Sequence, residues 1–137
     1  MPWVFTLQIY QSNMLKFFYS RINSFKFAFN GLFFLVKNEK NAWIHLAATL
    51  FVTALGILIK LNPAEWLFIL LAIFLVWITE LLNTAIEELV NLVEPNTHPK
   101  AKIIKDLAAG AVLSSAIFAV IVGLIVILPK IYSSLWS

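Results

Sequence analysis

The 137-residue chain contains no cysteine, which excludes disulfide staples, thiolate metal ligands and thiol nucleophiles. Charge is scarce: Asp, Glu, Lys and Arg together make up 12% of the residues, and there are two histidines. No Gly-rich phosphate loop occurs, so a conventional nucleotide-binding fold is excluded. No His or Cys pair stands at zinc-ligand spacing. What the chain has in excess is apolar surface. Hydrophobic residues make up 61% of it, against roughly 45–50% in a soluble domain. The formal charge of +3 is small. Its basic residues sit near the N-terminus and in loops, a placement that suits an anionic membrane surface and not nucleic acid.

Three apolar stretches are long enough to cross a bilayer, which takes roughly 20 residues each. They cover about residues 43–59, 66–93 and 107–128. Backbone groups in lipid must bond internally, so these are helices. Ahead of them, residues 15–37 place Phe18, Ile22, Phe25, Phe29, Leu32, Phe33 and Val36 at helical spacing among Lys16, Arg21, Lys26 and Lys37. That pattern reads as an amphipathic helix lying in the membrane interface. Residues 1–14 are left unassigned, and Met14, just ahead of the basic stretch, is an alternative start. The remaining residues, 15–137, read as one membrane domain. The N-terminus lacks the basic stretch and clean apolar core of a cleaved signal peptide.

Pro63 marks the start of the second span. Pro95 and Pro99 break the chain in a polar loop, 94–106, and Leu128-Pro129-Lys130 ends the third span. Trp136 is placed to anchor the tail at the interface. Lysine and arginine concentrate before the first span (Lys16, Arg21, Lys26, Lys37, Lys40) and in the loop (Lys100, Lys102, Lys105), with Lys60 and Lys130 on the other side. This asymmetry puts the N-terminus and the loop in the cytoplasm. Small residues open the third span (Ala108, Ala109, Gly110, Ala111, Ser114, Ser115, Ala116), a surface for close helix packing. Three helices alone offer little cover for buried charge, so an oligomer is expected.

Chemistry concentrates in the second span. Glu80, Asn83 and Glu87 fall on one helical face, joined by Thr84, Asn91 and Glu94. Carboxylates at bilayer depth are costly, and they persist where they face a bundle interior and act there. Glu39, His98 and Lys105–Asp106 lie at the same membrane surface in this topology. The set supplies carboxylates for a divalent metal, a lysine for phosphate and a buried carboxylate as proton acceptor, the requirements of phosphoryl transfer to an alcohol that arrives through the membrane.

At these residues the chain resembles the bacterial integral-membrane diacylglycerol kinase and undecaprenol kinase family. Glu80 to Asn91 (ELLNTAIEELVN) is similar to the family signature, roughly E-x-x-N-[ST]-[SA]-[IL]-E-x-x-V-D. Asn38 to Thr49 (NEKNAWIHLAAT) resembles the segment before the first span, and Lys105 to Leu113 (KDLAAGAVL) the start of the third. The resemblance covers about residues 24–130. It implies an all-α membrane protein of the bacterial inner membrane: a homotrimer with a surface helix and three spans per chain. It implies an enzyme that uses ATP and Mg²⁺ to phosphorylate diacylglycerol or undecaprenol. By resemblance Glu80 is the general base, Glu39 and Glu87 hold Mg²⁺, and Asn83 and Asn91 support the site. Glu39, Glu87, Asn96, Thr97, His98, Lys105 and Asp106 contact ATP. Two positions depart from the pattern: Asn91 replaces the signature's final acid, and Trp43 stands where relatives carry a basic residue.

Plainer readings stand beside these. A lone histidine is commonly structural, and His45 is read so. Glu88 lies off the stripe and is read as solvated, and Glu39 beside Lys40 has the look of a surface ion pair. A catalytically weak or inactive relative that binds lipid or nucleotide is the alternative function. An ion or proton pathway is disfavoured, because the centres of the first and third spans hold no acid.

Overall fold

The structure, a computed structural model, describes the backbone of residues 2–135 and the side chains of residues 19–133. The expected interfacial contributions of Lys16, Phe18 and Trp136 therefore lie outside the described side chains. The described residues form four helices and no strand: α1 (Pro2–Asn38), α2 (Lys40–Leu58), α3 (Pro63–Val93) and α4 (Pro99–Leu135). The last three are long and apolar enough to cross a membrane. The chain divides into two units, Met1–Asn38 and Glu39–Ser137.

The first unit is α1. It exposes Ile22, Phe25, Phe29 and Phe33, which follow one another at helical spacing. Ser24 donates to the Ser20 carbonyl at 2.9 Å and Asn38 to the Phe34 carbonyl at 2.8 Å.

In the second unit, α3 packs mainly on α4 and more lightly on α2. The apolar core is small: Leu61, Ile69 and Ile127, with Val52, Leu55, Trp66, Val122 and Val126 around them. Most large apolar side chains point outward, Phe51, Leu67 and Ile125 among them. That inside-out distribution suits a hydrocarbon solvent, where outward apolar surface carries no penalty.

The α2–α3 turn is built from local chemistry. Lys60 takes a left-handed backbone, φ 56°. Its N–H bonds the Ile57 carbonyl at 3.2 Å, and the Leu61 N–H bonds Gly56 at 3.0 Å, the paired closure that ends many helices. Gly56 is required by the close approach of its neighbours. A Cβ there would meet Leu61 Cδ1 and a Trp66 ring carbon, each at 2.9 Å. Asn62 then opens α3: its side chain accepts from Glu65 N at 3.0 Å, and Glu65 accepts from Asn62 N at 2.6 Å.

The helix boundaries differ from expectation at two prolines, although the expected break between α3 and α4 is present. Pro99 does not break the chain but begins α4, so the polar loop shrinks to residues 94–98. Proline is tolerated in the first helical turn, where its missing N–H would have no partner anyway. His98 provides the cap: its Nδ1 accepts from Lys100 N at 3.1 Å and its carbonyl from Lys102 N at 3.0 Å. Helix α4 is correspondingly longer than the expected third span, 107–128, which lies inside it. Pro129 lies inside α4 and does not end it; the helix runs on to Leu135.

Candidate active site

Burial along α3 follows one stripe: Ile69, Ala72, Val76, Glu80, Asn83 and Thr84. The stripe is apolar for its first three members and polar for the rest, so the same packing face that forms the core carries the acidic residues inward. Glu80 is 1% exposed, less than any other polar side chain in the buried set. Both its carboxylate oxygens lack a hydrogen-bond partner among the described residues, as do Asn83 Oδ1 and Thr84 Oγ1. Buried polar atoms of this kind are rare in folded proteins, and each calls for an explanation. Asn83 Nδ2 donates to Glu87 Oε1 at 3.2 Å, and Glu87 is half-buried while Glu88 is exposed, as its position off the stripe predicts.

Helix α2 completes this end of the site. Glu39 is its N-cap residue, but the side chain makes no capping hydrogen bond. Among the described residues no ion pair joins it to Lys40, so the surface-pair reading is not what the structure contains. Burial holds the Glu39 carboxyl above the usual range, and the charges of Glu87, Glu80 and Glu88 push it further. The N-terminal end of α2 therefore shares an acidic neighbourhood with the 80–88 segment of α3.

On the α3–α4 side, a hollow of about 660 Å³ brings together Asn91, Asn96, Thr97, His98, Lys105 and Asp106, with Glu94 and Lys102 on its wall. All six were expected at the site from the sequence. Glu39 and Glu87 do not line this hollow. Lys105 Nζ donates to Asn91 Oδ1 at 2.6 Å. An acid at position 91 would neutralise the ammonium, whereas the amide holds it in place and leaves its charge intact. Asp106 pairs with Lys102 at 2.6 Å, one helical turn away.

Residues missed by the sequence reading are polar partners on neighbouring helices. His45 Nε2 lies 3.6 Å from Glu80 Oε2. Thr79 and Ser115 hydroxyls meet at 2.7 Å across α3 and α4, at the small-residue surface expected on α4. Trp77 Nε1 donates to Thr49 Oγ1 at 3.1 Å across α2 and α3. None carries a spacing signal along its own helix; each is defined by which face meets which.

The family profile described as Prokaryotic diacylglycerol kinase matches residues 26–127. The chain belongs to the prokaryotic diacylglycerol kinase family. Membership places it among the lipid kinases, in agreement with the resemblance read from the 38–49, 80–91 and 105–113 segments. An undecaprenol kinase of Bacillus subtilis (strain 168) is 43% identical over 108 residues, which cover 79% of this chain and 88% of that relative. A diacylglycerol kinase of Synechocystis sp. is 41% identical over 111 residues, 80% of this chain but 63% of the longer relative. A diacylglycerol kinase of Helicobacter pylori (strain 26695) is 33% identical over 105 residues, 72% of this chain and 82% of its own.

Proposed function

We propose that this chain transfers the γ-phosphoryl group of ATP to the hydroxyl of a membrane lipid alcohol, diacylglycerol or undecaprenol, in a Mg²⁺-dependent reaction. The observation that carries this reading is the unpartnered carboxylate of Glu80, 1% exposed on a membrane-length helix. A structural carboxyl at that depth would be expected to have its hydrogen bonds made.

Glu80 accepts the proton of the lipid hydroxyl as that oxygen bonds to the γ-phosphorus. The bond from phosphorus to the bridging oxygen breaks, and its electron pair leaves on ADP. Lys105, held by Asn91, sets a positive charge in the hollow where the phosphates lie. Asn96, Thr97, His98 and Asp106 line the same hollow. Asn83 steers the Glu87 carboxylate through its amide N–H.

The residues present fit a divalent cation. Among the described residues no group of three or more His, Asp or Glu stands ready to hold a metal ion by itself. Magnesium typically takes one or two carboxylates and completes its shell with phosphate oxygens and water. Burial first, and then the charges of Glu87, Glu80 and Glu88, raise the Glu39 carboxyl, and that crowding of negative charge is what such a cation would relieve. Glu39 and Glu87 would hold it, and when bound it would neutralise charge developing on the phosphates.

The reading extends to placement. The lysine and arginine asymmetry supports a cytoplasmic N-terminus and α3–α4 loop in a bacterial inner membrane. The exposed apolar stripe of α1 supports an interfacial position. The small core of the second unit supports a homotrimer, in which neighbouring chains would cover outward surface near the site.

The test is phosphate transfer from labelled ATP, with Mg²⁺, to diacylglycerol and to undecaprenol in separate reactions, with Glu80→Gln as control. Transfer that disappears in the control supports the reading, and the faster acceptor names the substrate. No transfer to either lipid from folded protein would replace it with a non-catalytic relative.

A further inference from the structure

Half-buried His45 and buried Glu80 form a pair of which the proposed reaction uses one member. Glu80 Oε2 faces His45 Nε2 at 3.6 Å. That nitrogen is itself buried without a hydrogen-bond partner among the described residues, and so are both Glu80 oxygens. An unsatisfied nitrogen beside an unsatisfied carboxylate in an apolar bundle is costly as it stands. A closing of a few tenths of an ångström turns the contact into a hydrogen bond, and hydrogen bonds at catalytic groups are often long until substrate arrives. The ring is held from a second direction. Trp77 meets it edge-on, with ring centroids 6.4 Å apart and planes at 68°. Trp77 in turn is tied to Thr49, one turn along α2 from His45, at 3.1 Å. The α2–α3 contact thus fixes the imidazole against the carboxylate.

We propose that His45 is a positioning residue for phosphoryl transfer. Its Nε2–H donates to Glu80 Oε2 and turns the carboxylate so that Oε1 is the oxygen presented to the acceptor hydroxyl. The proposal rests on the reading of Glu80 as the base. A free carboxylate has two equivalent oxygens and a broad terminal torsion; a donor on one of them removes that freedom. A proton acceptor oriented by a third group is a recurring arrangement at sites where a hydroxyl is activated.

The test compares His45→Ala, His45→Gln and Glu80→Gln in full-length protein reconstituted in lipid, each checked by thermal unfolding. Rates are measured with Mg-ATP and with the better acceptor of the two lipids. In His45→Ala, kcat is expected to fall roughly 10- to 100-fold, the usual effect of losing a group that orients a reacting one. KM for Mg-ATP is expected to stay within about twofold, because the nucleotide hollow does not contain His45. His45→Gln keeps an N–H donor and is expected to recover much of the loss, which a role in packing alone does not predict. Full kcat in His45→Ala while Glu80→Gln is inactive overturns the positioning role and leaves the base. So does a folded His45→Gln no faster than His45→Ala. Should His45→Ala fail to fold, His45→Gln carries the test alone: KM for Mg-ATP raised with kcat unchanged overturns the proposal. Full turnover in Glu80→Gln overturns the base and the positioning role together.

Discussion

Two of the glutamates on helix α3, Glu65 and Glu80, live under opposite rules. Glu65, in the first turn, has its partners supplied: it accepts from Asn62 N at 2.6 Å and pairs with Lys130 at 3.2 Å. Glu80, four turns on, has no hydrogen bond to either oxygen among the described residues. A hollow of about 630 Å³ lies beside Glu65 and Lys130, comparable in size to the one beside Lys105. Glu80 lines neither hollow, so a neighbouring cavity is not what marks it out. Hydrogen bonding separates the two. Where local geometry closes every hydrogen bond, the glutamate shapes the helix and its neighbours. Where the chain leaves a buried carboxylate open, the structure carries a cost that substrate binding can offset.

The largest expected effect breaks this contrast at its open end. Glu80→Gln should lower phosphate transfer by roughly 10²–10⁴-fold, the usual contribution of a positioned proton acceptor. Its thermal midpoint should not fall, because the amide keeps the shape of a carboxyl whose oxygens make no hydrogen bond among the described residues. A variant with normal turnover, or one that loses activity only by unfolding, would erase the distinction between the two glutamates.

Lys105→Ala comes next. It removes a charged donor from the hollow proposed for the nucleotide, worth about 1.5–3 kcal/mol. KM for Mg-ATP should rise roughly 10- to 100-fold, read from steady-state rates, while affinity for the lipid stays put. An acid in place of Asn91 offers the reverse manipulation, since it would neutralise the same lysine.

A smaller and pH-dependent effect sharpens the acidic side. The Glu39 carboxyl is raised by burial and by Glu87, Glu80 and Glu88. Its protonated form is therefore favoured over that of an ordinary glutamate, and protons compete with Mg²⁺ as pH falls through the raised value. The Mg²⁺ concentration for half-maximal rate should climb as the solution is acidified. Glu87→Gln removes one cause of the shift, so the climb should begin at lower pH, although the metal itself binds less tightly. For folding the same sign applies. A carboxyl raised in the native state binds its proton there first, so this group favours the fold more as pH drops towards the unfolded value and less once it ionises.

The smallest effect is at the closed end. Glu65→Ala loses one half of the capping box and the contact with Lys130. It should lower the unfolding midpoint by a few degrees and leave turnover per folded enzyme unchanged. Loss of turnover without loss of stability would mean that this end, too, is functional.

Much of the geometry of the candidate site was legible in the chain because helical spacing is a one-dimensional signal. Residues 80, 83 and 87 share a face in any α-helix, and three separated segments each resembled one family. The hollow beside Lys105 was legible for the same reason: Asn96, Thr97 and His98 stand a few residues from Lys105 and Asp106, so local folding alone keeps them close. The helix ends were less legible. Pro99 and Pro129 each read as breaks, because proline cannot donate a backbone hydrogen bond. The outcome depended on whether that donor was needed: in the first turn of α4 it was not, and at Pro129 the surrounding helix continued past it.

The sequence by itself determined three membrane-length helices, an acidic stripe on the second and a family to which the chain belongs, since apolar length, spacing and motif are properties of the chain alone. Tertiary structure decided what each polar group meets. It set His45 against Glu80, joined Lys105 to Asn91 and Thr79 to Ser115, and left the Glu80 oxygens open. Those pairings depend on the rotation and depth of one helix against another. They arise from the packing of faces, in which a shift of about 1.5 Å, one residue of rise, changes every partner.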